Sequence, residues 1–238
     1  MVAHLLTPQG LDGFAARWAP RLLWTAGLMI AAGLYGGLVL APVDEEQGEA
    51  YRIIYVHVPA AWLSLYGYMA MAAAGAVALI WRIRVAEVLL GAAAPVGAAF
   101  TALALATGAI WGKPMWGTWW VWDARLTSEL ILLFLYIGVM ALRSAAEDPR
   151  AGARAAAILA LAGVVNVPII HFSVEWWNTL HQGPTVTRLA APAIHPAMLV
   201  PLLLMAAAFM VYHAGAVLLR VRCLLAVEPA AALAEERA

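Results

Sequence analysis

The sequence predicts an all-α polytopic membrane protein with six transmembrane helices. Of its 238 residues, 65% are hydrophobic and 12% are charged, whereas soluble domains are roughly half apolar and about a quarter charged. Six apolar stretches come close to the length of about 20 residues that a helix needs to cross a hydrocarbon core. No long polar segment separates them, so we predict one membrane domain over residues 1–238.

The apolar stretches define the predicted spans, which are residues 22–41, 58–81, 88–111, 127–142, 155–171 and 197–219. The fourth and fifth are short for a full crossing, and Glu129 falls in the first turn of the fourth. Segment 112–126 joins the third span to the fourth, and segment 172–196 joins the fifth to the sixth. We expect both segments to lie on one side of the membrane.

The distribution of lysine and arginine predicts which side that is. Basic residues are held back in short cytoplasmic loops during insertion. With six spans, the side that holds both termini has ten of them: Arg17, Arg21, Arg82, Arg84, Arg143, Arg150, Arg154, Arg220, Arg222 and Arg237. The other side has Arg52, Lys113, Arg125 and Arg188. We therefore predict cytoplasmic termini, and segments 112–126 and 172–196 on the external face.

Several classes of function are unlikely on composition. The formal net charge is zero and no basic run is present, which argues against nucleic acid as a partner. The single cysteine, Cys223, cannot form an intramolecular disulfide or a cysteine-ligated metal site. No phosphate-cradling Gly-x-x-x-x-Gly-Lys-Ser/Thr pattern occurs, so any ATP hydrolysis would require a partner subunit.

The loop before the second span ends in Tyr51-Arg52-Ile53-Ile54-Tyr55-Val56-His57-Val58-Pro59. Proline suits the first turn of a helix, so we expect His57 at the mouth of this span. An interfacial histidine bonded to a loop carbonyl is the alternative interpretation.

The most unusual segment reads Trp116-Gly117-Thr118-Trp119-Trp120-Val121-Trp122-Asp123, followed by Arg125. We expect Gly112, Pro114 and Gly117 to break the third span before it. If residues 116–123 are helical, Trp116, Trp119, Trp120 and Asp123 share one face and form an aromatic shelf. A plain membrane-interface belt is the alternative, but belts do not normally concentrate four indoles beside an acid and a base.

The loop after the fifth span repeats this composition. It contains Glu175, Trp176, Trp177 and His181, and a Gly-Pro turn signal at 183–184 follows. His171 is expected at the end of the span with an ordinary hydrogen bond, so His181 is the stronger ligand candidate.

A flat aromatic surface flanked by two imidazoles fits haem. The indoles Trp116, Trp119, Trp120, Trp122, Trp176 and Trp177 would pack the macrocycle, with Asp123 beside them, and His57 and His181 would bind the iron from opposite faces. Arg125, Arg52 and Lys113 are the candidate cations for the propionates. Zinc or copper is an alternative, but cysteine and clustered carboxylate ligands are missing.

The segment from Trp116 to Thr127 closely resembles the tryptophan-rich WWD signature of haem-handling membrane proteins. A second segment, from Val174 to Gly183, resembles one branch of that superfamily, the CcmC family of cytochrome c maturation system I. Length and the number of spans agree with this family across nearly the whole chain. The larger relatives CcmF and CcsA have more spans and are a poorer match.

The resemblance implies a haem-delivery subunit and not an enzyme. Such proteins lie in the bacterial inner membrane, bind haem b as cargo at the periplasmic face, and present it to the chaperone CcmE. They associate with the ATP-binding-cassette subunits CcmA and CcmB and with CcmD. On this basis His57 and His181 are the axial ligands and the WWD segment, 112–126, holds the ring.

Two other classes remain open at this stage. A small-molecule transporter would need ionisable residues deep in its spans, and the acidic residues lie in loops, termini or near span ends. A haem-b electron-transfer subunit would use paired histidines within helices. His195 and His213 of the sixth span are the candidates for such a pair, and each is more readily explained as a hydrogen-bonded polar group.

Overall fold

The computed structural model describes residues 6–181, 183, 186 and 191–235, with side chains as far as residue 226. Arg188 and Arg237, which contribute to the orientation count, lie outside the described residues. So do residues 182, 184, 185 and 187–190 of the predicted external loop 172–196. The described part of the chain is helical and contains no β-strand.

The described residues form seven α-helices: α1 (Pro8–Tyr35), α2 (Ile54–Trp81), α3 (Arg84–Trp116), α4 (Ala124–Ala145), α5 (Pro149–Ala162), α6 (Asn166–Trp176) and α7 (Pro196–Glu235). A π-helical turn, Gly36–Leu40, extends α1, and a 3-10 turn, Glu49–Ile53, leads into α2. The 3-10 turn Gly163–Val165 joins α5 to α6.

Six of the helical segments in the described residues are long and apolar enough to cross a membrane, which confirms the predicted number of spans. They are Pro8–Leu40, Glu49–Trp81, Arg84–Trp116, Ala124–Ala145, Pro149–Trp176 and Pro196–Ala226. Every helical segment is longer than the apolar stretch that predicted it. Hydropathy marks the part that lies in lipid, whereas a helix continues until a capping residue stops it.

Capping residues explain several of these ends. The hydroxyl of Thr7 accepts a hydrogen bond from the backbone N–H of Gly10, and Pro8 occupies the first turn of α1. Asp148 caps α5 in the same way, by accepting from the N–H of Arg150. At the other end of α3, Gly117 adopts the left-handed conformation, with φ of 75°, that commonly terminates helices.

The third span is the most buried of the six. Helix α3 packs along α2, and α7 crosses both of them, while α4 packs against α3 and α5. Helix α1 lies mainly against α7, and most of its side chains are exposed. This arrangement brings the end of α3, the beginnings of α2 and α4, and the loop after α6 to one end of the bundle.

Candidate functional site: an aromatic cleft with two histidines

A cleft of about 160 Å³ opens at that end of the bundle. Its apolar wall comes mainly from α2, α3 and the turn before α2, and its polar side chains come from α2, α4, α6 and the segments next to them. Its lining includes Tyr51, His57, Trp62, Trp111, Met115, Trp116, Arg125, His171, Glu175 and His181. The cleft therefore combines indole surface, two facing imidazoles and a guanidinium.

His57 lies inside α2 and is 8% exposed. Because helix α2 begins at Ile54, His57 is in the body of its first turn and Pro59 lies beyond that turn. His57 is therefore near the N-terminus of the span, as expected, but it belongs to the helix and not to the preceding loop. The helical turn Glu49–Ile53 carries the chain directly into α2, so the ring points into the bundle end with the rigidity of a helix.

A hydrogen bond fixes which nitrogen of His57 faces the cleft. Its Nδ1 lies 3.0 Å from the hydroxyl oxygen of Thr107 on α3. That hydroxyl donates its own proton to the backbone carbonyl of Leu103, at 2.6 Å. With that proton committed, the Thr107 oxygen is placed to accept from His57, which is the arrangement in which Nδ1 carries the imidazole proton. The other nitrogen, Nε2, keeps its lone pair for a metal.

His181 approaches His57 from the loop after α6. The two ring centroids are 6.2 Å apart and the ring planes are inclined by 35°. Two imidazoles bound to one metal from opposite sides, with metal–nitrogen bonds of about 2.0–2.1 Å, would have centroids roughly 6.3 Å apart. The observed centroid separation is close to the value expected for two imidazoles that bind one metal.

Two tryptophans hold this pair of rings. Trp111 contacts His57 edge-on, with centroids 5.6 Å apart, and its indole N–H donates to the side-chain oxygen of Gln47 at 2.9 Å. The ring centroid of Trp116 lies 6.3 Å from that of His181. The indoles thus restrict both imidazoles and provide apolar surface beside them.

The remaining tryptophans of the WWD segment are placed differently from the helical interpretation, which was wrong. Trp116 ends α3, and residues 117–123 form a non-helical connection to α4. Trp119 and Trp122 are 56% and 75% exposed, and Trp120 packs edge-on against Trp122. Gly117 and the cap at Asp123 break the helix that a shared face would have needed. Trp116 lines the cleft, whereas Trp119, Trp120 and Trp122 lie outside its wall.

Aromatic residues at the end of α6 and just after it also lie near the cleft. Trp176 stacks on Phe172 at 5.2 Å and contacts Trp177, and both indoles are about half exposed. Their neighbour Glu175 lines the cleft. These two tryptophans therefore provide apolar surface on the loop that borders the opening.

The predicted polar residues separate into three roles. Arg125 lines the cleft, and its guanidinium donates to the carbonyl of Ile170 at 2.7 Å. Asp123 caps α4, because its Oδ1 accepts from the N–H of Leu126 at 2.8 Å. Arg52 lies outside the cleft wall, where it pairs with Glu49 and donates to the carbonyls of Gly37 and Ala41.

Lys113 also lies outside the cleft wall, and its ammonium group donates to the carbonyl of Gly117. Arg125 is therefore the predicted cation that the fold places in the cleft.

The alternative haem pair on the last span does not assemble. His195 and His213 are separated by about 27 Å along the axis of α7, at 1.5 Å per residue. His195 accepts from the N–H of Ala197 at the start of the helix, and His213 packs against Tyr66 and Phe100. Within the described residues, no three His, Cys, Asp or Glu side chains form a metal-binding group.

Sequence reasoning missed Thr107, Trp62 and the contact of Trp111 with His57. It also placed Glu129 near a span end without assigning it to the site. Each of these residues is ordinary in its own segment, and its role depends on a partner from another helix. The spacing of 50 residues between His57 and Thr107 gives no local pattern to detect.

Thr107 allows a direct test of the His57 geometry. Changing Thr107→Val removes the acceptor at similar volume, so we expect metal-ligand affinity at His57 to fall by about 10- to 100-fold. Thr107→Ser keeps the hydroxyl and should retain wild-type behaviour. The measurement is a haem titration followed by visible absorption. Equal titration curves for Thr107→Val and the wild type would contradict the role assigned to the hydroxyl.

Six membrane-spanning helices and an aromatic cleft with two facing imidazoles define a polytopic membrane protein with a site suited to a flat, metal-containing ligand. Comparison with known proteins gives a family with these features. The family model described as "Heme exporter protein C" (CcmC) matches residues 1–234. The chain belongs to this family.

Three relatives align with this chain over most of their own length. Heme exporter protein C of Haemophilus influenzae is 52% identical over 215 residues, which cover 90% of this chain and 87% of that protein. The Escherichia coli K12 protein of the same name is 50% identical over 222 residues, covering 93% and 89%. A ccmC-like mitochondrial protein of Marchantia polymorpha, named for cytochrome c biosynthesis, is 44% identical over 209 residues, covering 88% and 89%.

Proposed function

We propose that this protein binds haem b as cargo in the aromatic cleft and delivers it to the haem chaperone CcmE during cytochrome c maturation. Family membership supports a role in haem handling for cytochrome c maturation, as a transporter-like membrane subunit and not an enzyme. His57 and His181 bind the iron from opposite faces. The indoles of the cleft and its bordering loops contact the macrocycle.

The observation that supports this proposal most strongly is the facing pair of imidazoles. Their centroid separation of 6.2 Å leaves room for one metal between them. The hydrogen bond of His57 to Thr107 leaves Nε2 of His57 available as a ligand. With no third or fourth protein ligand among the described residues, haem is favoured over a bare zinc or copper ion, because the porphyrin supplies the other four donors.

The size of the cleft favours cargo over a resident cofactor. As it stands in the structure, the cleft has a volume of about 160 Å³, which is smaller than the roughly 300–1,000 Å³ of typical ligand sites. Part of a haem would extend past the cleft, towards the exposed indoles of Trp119, Trp122, Trp176 and Trp177. An exposed macrocycle edge is accessible to an acceptor protein.

Arg125 is the cation we assign to a propionate, because it is the predicted cation that lines the cleft. Its guanidinium has five N–H donors, and the bond to Ile170 uses one of them. Arg52 retains a secondary place in this proposal, since its donors are directed to backbone carbonyls. Asp123 acts indirectly, by starting the helix that positions Arg125.

Family membership supports our proposal for the partners and the location. We assign the protein to the bacterial inner membrane with both termini in the cytoplasm and the cleft at the periplasmic face. Its partners are the subunits CcmA and CcmB, which supply ATP hydrolysis, together with CcmD. Helix α1, whose side chains are mostly exposed, is available for lipid or for these subunits.

The test is the visible absorption spectrum of the purified protein in oxidised and reduced states, followed by mixing with CcmE. We expect the spectrum of a six-coordinate haem, and we expect the haem to pass to the chaperone on mixing. A protein that neither retains haem from the membrane nor binds added haem would disprove the proposal. Retention of haem without transfer to CcmE would disprove the delivery step alone.

A further inference from the structure

Glu129 is a buried carboxylate on α4 that the site as described does not use. It is 6% exposed. Its Oε1 accepts a hydrogen bond from the hydroxyl of Ser64 on α2, at 2.7 Å. Its Oε2 is buried and has no hydrogen-bond partner among the described residues. Because burying a carboxylate oxygen without a partner is costly, this oxygen requires an explanation.

Glu129 also lines a second, smaller cavity. It has a volume of about 40 Å³, and its polar lining includes Glu129, Arg125, His57 and His181. His57, Ala61, Trp116, Arg125 and His181 line both this cavity and the cleft. We call the smaller cavity the chamber. A water needs roughly 10–15 Å³ of such space, so the chamber has room for about three or four waters.

Arg125 and Glu129 are placed to interact through the chamber. They lie four residues apart on α4, so their side chains share one face of the helix. Arg125 donates to the carbonyl of Ile170, and Glu129 accepts from Ser64, so no direct ion pair joins their side chains. Both nevertheless line the chamber. Charges that line one small cavity are screened less than charges in water, so the charge of each side chain affects the electrostatic potential at the other.

The sign of the effect on an anionic ligand can be derived. Arg125 attracts a carboxylate in the cleft, and the negative charge of Glu129 behind it reduces that attraction. Removing the Glu129 charge would therefore strengthen the hold of Arg125 on an anionic ligand. A residue with a merely structural role would weaken binding when mutated, so the direction of the effect distinguishes the two roles.

We propose that Glu129 is a positioning residue that acts through Arg125: bridged to the guanidinium by water in the chamber, it offsets part of the Arg125 charge and so speeds release of anionic cargo. This inference rests on the proposed function, because the cargo carboxylates are the haem propionates. It assigns Glu129 to release, whereas the residues of the cleft are assigned to binding.

The test compares Glu129→Gln, Glu129→Asp and the wild type, each loaded with haem. The rate of haem dissociation is followed by transfer to an excess of an apo-globin scavenger. We expect Glu129→Gln to release haem at least about fivefold more slowly than the wild type, the lower end of an ordinary coupling. Glu129→Asp keeps the charge and should release haem within about twofold of the wild-type rate. Glu87→Gln, which removes a carboxylate at the other end of the bundle, is the matched control and should leave the rate unchanged.

Two further arms test the link to Arg125. In an Arg125→Gln background, adding Glu129→Gln should produce no further slowing, because the residue through which it acts is gone. With the dimethyl ester of iron protoporphyrin, which has no free carboxylate, Glu129→Gln and the wild type should release the ligand at the same rate.

If Glu129→Gln does not fold, Arg125→Gln with Glu129 intact provides the decision. It should release haem faster than the wild type and release the ester at the wild-type rate.

Equal or faster release of haem from Glu129→Gln would overturn the inference, as would equal slowing of haem and its ester. Either result leaves the proposed function standing if the wild type still binds haem through His57 and His181. Failure of the wild type to bind haem would instead remove the proposed function itself, so the two failures are distinguishable.

Discussion

Replacing either His57 or His181 with alanine is expected to convert a six-coordinate haem spectrum to a five-coordinate one and to lower haem retention by at least about tenfold. The two ring centroids lie 6.2 Å apart, and in the proposed function each ring supplies one side of the metal. The two substitutions should also have different structural consequences. His57→Ala also leaves the buried Thr107 hydroxyl without its imidazole partner, whereas His181→Ala alters a loop.

The difference between the variants provides an additional measurement. Exogenous imidazole should restore a six-coordinate spectrum to either variant, because the indoles and Arg125 that line the cleft remain in place. His195→Ala, at the start of α7, is the matched control and should have the wild-type spectrum. Spectra that are indifferent to both His57 and His181 would rule out these residues as the axial ligands.

Gly97→Ala is expected to destabilise the protein by about 1–3 kcal/mol or more, the range for overpacking a buried position. A Cβ at Gly97 on α3 would overlap the ring of Tyr136 on α4. Tyr136 is fully buried, and its hydroxyl donates to the carbonyl of Ser64 on α2, at 2.8 Å. The ring cannot move away without breaking the contact that joins three helices. The measurement is thermal unfolding in detergent.

Gly27→Ala is the matched control for this change. Gly27 also lies within a helix, α1, but a Cβ there would meet no atom within 4 Å. Its stability should stay within about 1 kcal/mol of the wild type. If Gly97→Ala unfolds at the same temperature as Gly27→Ala, the close approach of α3 and α4 at Tyr136 is not what the structure indicates.

Much of the fold could be predicted from local sequence because the relevant signals are local. An apolar stretch of spanning length predicts a helix whatever lies beside it, so the number of spans was correct. The ends were less accessible. Helix α3 runs through Gly112 and Pro114, although Pro114 removes one helical hydrogen bond, and stops at Gly117, where a residue in the left-handed conformation terminates the helix.

The tryptophan segment shows the same limit at the site. Four indoles close together indicated an aromatic surface, and a regular helix would have placed three of them with Asp123 on one face. Asp123 instead begins α4 and leaves residues 117–123 non-helical, so Trp116 alone of that face lines the cleft. A capping residue and a binding residue have the same local appearance, so the sequence could not separate the two roles.

The sequence by itself determined the membrane environment, the six helices, the family and the residue types of the site, because each is a property of composition or of a contiguous motif. The tertiary structure alone decided which of those residues meet. Thr107 is paired with His57, Glu129 with Ser64 across 65 residues, and Arg125, not Arg52, with the cleft. Hydropathy fixes how deep a helix lies but not its rotation or its neighbours. Those depend on side-chain packing between helices distant in sequence, which is where the ligand geometry of this protein is set.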